Sequence, residues 1–287
     1  MFNEMAWWFD QNGRDLPWRE EGTPPWHILL CEVMSQQTPI PRVLPAWLEW
    51  TRTWPTPADL AEATPEDVLR AWKSLGYPRR ALRLRECALA IVERHEGEVP
   101  DSEEELLALP GIGSYTAAAV MAFGFHKRAL VLDTNIRRVI GRLHGEALPS
   151  PTLTKPERLR ALDMLPEDEA ESVVWNAAVM ELGALVCTAR SPRCGECPVV
   201  DGCGWRERGY PADAHAHRRK TQAWEGTMRQ ARGLIMGALR STNTSVHVAD
   251  LIAVDPSRAE EALSGLVADG LVERMGDRVA LPGSLKS

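Results

Sequence analysis

The 287-residue sequence lacks any apolar run long enough to span a membrane, so a transmembrane protein is not expected. Its start, Met1-Phe-Asn-Glu-Met-Ala-Trp-Trp, has neither the basic flank nor the cleavage site of a secretory leader. A cytoplasmic location is the default expectation. Positive charge is not in excess either: 33 Lys and Arg stand against 40 Asp and Glu, for a formal net charge of −7. That balance weighs mildly against a nucleic-acid partner, because phosphate contacts draw on Lys and Arg. Internal repeats and low-complexity segments are absent, and long alternating strands are missing before residue 270. What remains is a globular composition, 44% hydrophobic and 25% charged, in a chain long enough for two or three compact units.

The overall negative charge hides basic clusters: Arg79, Arg80, Arg83 and Arg85, then Arg137, Arg138 and Arg142, then His217, Arg218, Arg219 and Lys220. Taken singly, each reads as a solvated helix face. Helix-start signals recur at Thr56-Pro-Ala-Asp59, Thr64-Pro-Glu-Asp67 and Ser102-Glu-Glu-Glu105, where a capping side chain precedes an acid by three positions. Leu69, Trp72, Lys73 and Leu75 lead to Gly76, a plausible helix stop. Leu82, Leu89 and Val92 suggest another buried face. The chain is expected to be all-α up to a polar linker at about 211–227 that holds Pro211. Beyond it, Met228–Arg240, Ser245–Ala253 and Arg258–Asp269 read as helices. Leu271-Val-Glu-Arg and Arg278-Val-Ala-Leu flank a Gly-containing turn and read as a hairpin. Three helices and a hairpin make a small winged-helix-like unit over 228–287, a shape used for DNA binding and for packing alike.

Four cysteines follow the spacing Cys187-x6-Cys194-x2-Cys197-x5-Cys203. Nothing points to an oxidising compartment, which disfavours disulfides. A four-cysteine zinc site and a 4Fe-4S cluster both suit four thiolates, and spacing does not choose between them. Cys31 and Cys87 lie outside the array and read as core thiols. A helix expected over Val173–Val186 would anchor the array, and Arg190 and Arg193 in its loops are candidate phosphate contacts.

The run Leu107-Ala-Leu-Pro-Gly-Ile-Gly-Ser-Tyr-Thr116 predicts one helix ending near Leu109, a sharp turn through Gly111 and Gly113, and a second helix starting near Ser114. Free amides at such a start favour an anion, and a DNA phosphate fits. In Val131-Leu-Asp-Thr-Asn-Ile, Asp133 reads as the N-cap of a basic helix, which would keep its carboxylate ionised. Glu32 interrupts the apolar run Ile28-Leu-Leu-Cys-Glu-Val-Met. Partial burial should raise its pKa and suit it to general-acid work. Gln36, Gln37 and Thr38 close that helix with neutral groups able to reach base edges.

Together these pieces resemble the helix-hairpin-helix base-excision glycosylases, and within them the MutY-type adenine DNA glycosylases. The resemblance covers about residues 1–210. It rests on Gly13-Arg-Asp-Leu-Pro-Trp-Arg19, Glu32-Val-Met-Ser-Gln-Gln-Thr38, Leu75-Gly-Tyr77, Leu109-Pro-Gly-Ile-Gly-Ser-Tyr115, Leu132-Asp-Thr-Asn135, Trp175-Asn176, Glu181-Leu-Gly183 and the cysteine array. It implies a two-lobed fold with a 4Fe-4S cluster on the four cysteines. A six-helix barrel would span about 26–132, and the cluster lobe would join 1–25 to 133–210. Duplex DNA would lie across the cleft, with a mispaired adenine flipped out.

The resemblance also implies roles. Glu32 protonates adenine N7, and Asp133 stabilises the oxocarbenium-like sugar and bonds to it transiently. Tyr115 and Asn135 position these groups. Arg14, Leu16, Trp18, Arg19 and Glu181 help form the adenine pocket, while Gln37 and Tyr77 wedge into the duplex. Bifunctional relatives carry a Lys where this chain has Tyr115, and tyrosine forms no Schiff base, so a monofunctional enzyme acting as a monomer is expected. Ser35 and Pro78 depart from common family residues. Residues 222–287 are too short and too helical for the Nudix-like domain that reads 8-oxoguanine in longer relatives, so a short form is expected. Its Trp224-Glu-Gly-Thr-Met-Arg-Gln230 looks like the opening of the C-terminal region in short relatives. The competing readings are a mismatch thymine or uracil glycosylase and a non-catalytic iron–sulfur DNA-binding protein. Glu32 with Gln36-Gln37-Thr38 favours adenine over the first, and the presence of both acids argues against the second.

Overall fold

A computed structural model describes residues 1–218 and 225–284. Its helices begin with α1 (Phe2–Asn12), α2 (Pro25–Ser35), α3 (Ile40–Thr53), α4 (Pro57–Glu62), α5 (Pro65–Ala71), α6 (Arg79–His95) and α7 (Glu103–Leu107). They continue with α8 (Ser114–Gly124), α9 (Thr134–Leu143), α10 (Lys155–Asp163), α11 (Glu169–Leu185) and α12 (Gly204–Glu207). The C-terminal region adds α13 (Met228–Arg240), α14 (Val248–Val254) and α15 (Ala259–Ala268). Three short strands, β1 (Val246–His247), β2 (Glu273–Met275) and β3 (Arg278–Ala280), form an antiparallel sheet in the order β1-β3-β2. Among the described residues no helix is long and apolar enough to cross a membrane.

Local signals explain many of these boundaries. Thr56 and Thr64 form full capping boxes with Asp59 and Asp67, each side chain satisfying the other's backbone amide. Thr154 and Glu157 make a third box that the sequence reading passed over. The Ser102 signal precedes a helix that begins at Glu103. The helix expected to run on to Gly76 stops at Ala71 instead. Trp72 turns into the core, wholly buried, and its indole Nε1 donates to the Gly76 carbonyl at 2.8 Å. The intervening turn uses left-handed backbone at Lys73, Gly76 and Tyr77. α11 starts four residues before the expected Val173, because Asp168 caps it through the Glu171 amide.

The chain divides into two compact units. The first comprises Met1–Ile28, Asp101–Glu103 and Gly113–Thr221. Its core gathers Met5 and Trp8 of α1, Ala118, Ala119 and Ala122 of α8, Ile136, Val139 and Ile140 of α9, and Trp175, Val179 and Leu182 of α11. The small residues of α8 let its neighbours approach closely, and this helix packs in the first unit although its sequence lies within the stretch expected to form the barrel.

The second unit comprises Leu29–Pro100, Glu104–Ile112 and Gln222–Ser287. Trp50 packs edge-on against Trp54 and Trp72, with ring centroids 4.7 and 5.4 Å apart. Fully buried Leu60, Leu69, Leu84 and Ile91 fill the space between α4, α5 and α6. Each such side chain contributes roughly 1.5–3 kcal/mol of apolar burial. The C-terminal region packs in the same unit, with Arg70 of α5 donating to the carbonyls of Arg240 and Thr242 at 2.8 and 2.6 Å. Its helices and hairpin match expectation, and the pairing of Val246 with Val279 adds a strand that two residues were too few to announce. Arg219, Lys220 and Trp224, in the expected linker, lie outside the described residues.

Candidate active site

Asp133 sits at the N-cap of α9, as its sequence context suggested. Its Oδ1 accepts from the Ile136 amide at 2.6 Å, and its Oδ2 accepts from Asn135 Nδ2 at 2.7 Å. The expected ionising influence of the helix start is present but loses. Burial pushes the Asp133 carboxyl above the ordinary carboxylate range, and the hydrogen bonds from Ile136 and Asn135 and the Arg138 charge only partly restore it. Asn135 is held in turn, because Arg138 Nη2 donates to its Oδ1 at 2.8 Å. Tyr115, on the first turn of α8, is half-buried and packs on the same core. It also lines a cavity of about 240 Å³ with Ala118, Leu130, Leu132 and Arg158.

Gly183 explains how α11 reaches this group. A Cβ there would lie 2.7 Å from the Asn135 Cβ and 2.9 Å from the Asn135 carbonyl, so only glycine allows α9 and α11 to meet at the acid's partner.

Two residues before that glycine on the same helix, Glu181 is wholly buried. Arg14 donates to it through its backbone amide at 2.9 Å and through Nε and Nη2 at 2.6 and 2.8 Å, and Arg19 adds Nη2 at 2.8 Å. Burial opposes the charge, but these bonds win and bring the Glu181 pKa down to about 2. Arg14, Arg19 and Glu181 thus come together in the first unit, which also holds Trp18 and Leu16, the latter only 6% exposed. Both carboxylate oxygens of Glu181 are engaged with arginine, so it orients Arg14 and Arg19.

The second unit holds Glu32, Gln36, Gln37, Thr38, Tyr77 and Gly111. Glu32 is 9% exposed on α2, beside wholly buried Leu29 and Leu30. Gln37 and Tyr77 are both exposed and both left-handed, at φ 55° and 47°, a costly geometry for residues other than glycine. Thr38, expected at a nucleic-acid face, is buried, and its hydroxyl donates to the Leu75 carbonyl at 3.1 Å. It ties the two exposed loops together. Gly111 takes φ +79°, and a Cβ there would meet Arg83 at 3.1 Å. Gly113, in the first unit, has extended backbone as the N-cap of α8, with open space where a side chain would stand.

Arginines are where the sequence reading fell short. Arg80 was grouped with a solvated basic face. Its guanidinium instead donates to the carbonyls of Val33 and Gln36 at 2.8 and 2.7 Å, to the Thr38 hydroxyl at 3.2 Å, and to the carbonyls of Leu75 and Gly76 at 3.1 and 3.0 Å. It joins the segments that present Gln37 and Tyr77, and burial lowers its pKa to about 10. Arg138 and Arg142, also grouped as a surface cluster, are 8% and 3% exposed. They were legible in one respect: they recur at helical spacing on α9, so they share a face.

Those two arginines organise the cysteine loop. Arg138 donates to the carbonyls of Cys187 and Gly183 at 2.7 and 2.6 Å. Arg142 donates to Cys187 Sγ at 3.2 Å and to the Thr188 carbonyl at 2.8 Å, and stacks on Trp205 at 4.3 Å. Cys187, Cys194, Cys197 and Cys203 are half-buried free thiols. Burial, reinforced by the charges of Cys187, Cys203 and Cys194, pushes Cys197 up to about 11. Four thiols within one loop, beside guanidinium donors, suit a cationic metal group that would draw off their protons. Arg190 and Arg193 are exposed in this loop. Arg193 is tethered to Glu196 at 3.2 Å and to the Leu185 carbonyl at 2.9 Å. Cys31 and Cys87 are core thiols, and burial pushes Cys87 up to about 12.

Comparison with known proteins bears on both features. Residues 30–162 match the HhH-GPD superfamily of base excision DNA repair proteins, and residues 187–203 match the iron-sulfur binding domain of endonuclease III. The sequence is 49% identical over 281 residues to the adenine DNA glycosylase of Mycobacterium tuberculosis, covering 96% of this chain and 91% of that one. Among solved structures, a thermostable thymine-DNA glycosylase superposes with a TM-score of 0.65 at 27% identity, over 72% of this chain and 95% of the other. An endonuclease III trapped in a covalent intermediate with DNA gives 0.62 at 25% identity, over 72% and 95%. The iron-sulfur match decides between zinc and iron for the four cysteines, a choice their spacing left open.

Proposed function

The chain belongs to the adenine DNA glycosylases of the HhH-GPD superfamily, and from that premise we propose how its residues divide the labour of releasing adenine. The enzyme binds DNA and hydrolyses the N-glycosyl bond of adenine in base-excision repair. Cys187, Cys194, Cys197 and Cys203 hold a 4Fe-4S cluster, which clamps the loop bearing Arg190 and Arg193. The observation that carries the proposed division is a pair of carboxyl groups placed in unlike surroundings. Glu32 stands on an apolar helix, 9% exposed, whereas Asp133 is gripped by a backbone amide and a side-chain amide.

Glu32, protonated, gives its proton to adenine N7. The C1′–N9 bond then breaks, and its electron pair leaves with the base. Asp133 faces the positive charge that develops on the sugar, held in place by Asn135 and Ile136. Water adds to C1′ and its proton passes to the Glu32 carboxylate, which returns the acid to its starting state. The products are adenine and an abasic sugar. Asp133 must be ionised to do this, and its raised pKa places its ionisation above that of an ordinary aspartate. Excision should therefore rise with pH as Asp133 ionises, over a range above that of an ordinary aspartate. Tyr115 takes the place of an amine nucleophile, so no Schiff base forms and the strand stays intact. Gln37 and Tyr77, on strained exposed loops, enter the duplex beside the lesion, with Gln36 adjoining. Arg14 and Arg19, aligned by Glu181, serve the adenine pocket with Leu16 and Trp18.

The finer readings proposed with this are adenine opposite 8-oxoguanine or guanine as the target, a monomeric enzyme, and a cytoplasmic location. Release of adenine, thymine and uracil from duplexes with defined opposite bases tests the substrate. Adenine is expected from pairs with 8-oxoguanine and guanine, with uncut abasic strands. Thymine or uracil release in its place would overturn the reading, and so would strand cutting that Tyr115→Phe abolishes.

A further inference from the structure

A groove of about 1000 Å³ runs through the second unit between the Lys73–Arg79 loop and α13. We propose that it seats the phosphodiester backbone of the bound duplex, so that the C-terminal unit is part of the DNA interface. This rests on the glycosylase reading above and extends it to a region whose role that reading leaves open.

Charge is the first argument. Arg42, Lys73, Arg79, Arg229, Arg232 and Arg240 line the groove in a chain whose formal net charge is −7. Asp269 is the acid among the lining residues, and Arg79 and Arg232 share it. Lys73 is met by Glu49. Among the described residues Arg42 and Arg240 have no carboxylate partner, and burial lowers the pKa of Arg240. A concave surface with cations left over is an electrostatic trap for a polyanion.

Position is the second argument. Gln37 and Tyr77 stand on the wall of this groove. Two guanidinium groups stack on the Tyr77 ring, Arg80 of α6 at 5.7 Å and Arg229 of α13 at 4.7 Å. A strand held at Tyr77 therefore lies at the groove, where Arg229, Arg232 and Arg240 of the C-terminal region join Lys73 and Arg79. Continuity with the wedge favours duplex DNA over a free anion or an acidic peptide.

The test is the salt dependence of binding to a duplex carrying a non-hydrolysable 2′-fluoro-adenosine opposite 8-oxoguanine. Each phosphate contact contributes a slope of about 0.9 in log K against log salt. The double variant Arg42→Gln, Arg229→Gln alters two groove-lining residues and should lower the slope by about 1.8. Arg42→Lys with Arg229→Lys should restore most of it. Arg274→Gln, on the hairpin and outside the groove, should leave the slope as in the wild type. An unchanged slope in the double glutamine variant overturns the proposal. The two readings fail separately. Wild-type enzyme that releases adenine while the slope stays fixed removes the groove alone. A slope that falls while no duplex yields adenine removes the function and leaves the groove.

Discussion

Asp133 shows how much depends on a few atoms. Its two oxygens are spoken for by Ile136 and Asn135, and Asn135 rests against Gly183. Gly183→Ala is therefore a sharp probe: the new Cβ would intrude on the Asn135 backbone, which a rigid helix pair cannot easily relieve. It should destabilise the protein by about 1–3 kcal/mol and slow adenine release in single-turnover assays, with DNA affinity nearly kept. Normal excision would show that Asn135 does not orient the acid. Glu181 makes the complementary case. Its pKa falls from 4.5 to about 2 on folding, so it binds its proton less readily in the folded chain. That stability is fully present above pH 4.5 and drains away as pH drops toward 2. Glu181→Gln should be less stable at neutral pH and lose less on acidification, measured by denaturant unfolding across that range. The place of Asp133 at a helix start and the burial of Glu32 were legible in the sequence through their neighbours. The direction of the Asp133 shift was not, because the N-cap is a local signal and the opposing burial is a tertiary effect.

At the scale of elements, loops that must present a side chain at an awkward angle need something behind them. Arg80 supplies it for Gln37 and Tyr77 by bonding to carbonyls from both segments. Arg80→Ala should cost roughly 2–4 kcal/mol and weaken duplex binding. Arg80→Lys should rescue little, because one ammonium cannot span acceptors on two loops. Rescue of both stability and affinity by lysine would reduce Arg80 to a simple charge. This arginine, with Arg138 and Arg142, was misread as surface because charge along a sequence does not reveal which helix face is covered. The capping boxes at Thr56 and Thr64 were readable because cap and acid lie within one turn. The helix end at Ala71 was not, since Trp72 is pulled inward by partners distant in sequence.

Over the whole molecule, the family, the helical fold and the cluster were readable from several motifs in a fixed order. The path of the chain between units was harder. α8 belongs with α9 and α11, and the C-terminal region packs in the unit of α3 to α6, choices made by surfaces that no short motif encodes. The cluster loop depends on such distant packing too. Arg142→Gln removes the donor to Cys187 Sγ and the stack on Trp205, and it should lower iron per chain and visible absorbance together. Full iron content in that variant would mean the four cysteines suffice without α9.

The central claim is that two carboxyl groups in unlike surroundings cleave the adenine glycosidic bond. Single-turnover excision of adenine opposite 8-oxoguanine, at enzyme concentrations that saturate the duplex, tests it most directly. Glu32→Gln and Asp133→Asn should each bind that duplex within a few-fold of wild type and slow excision by roughly 10²–10⁴-fold. Excision at the wild-type rate in either variant, with the duplex bound, would contradict it.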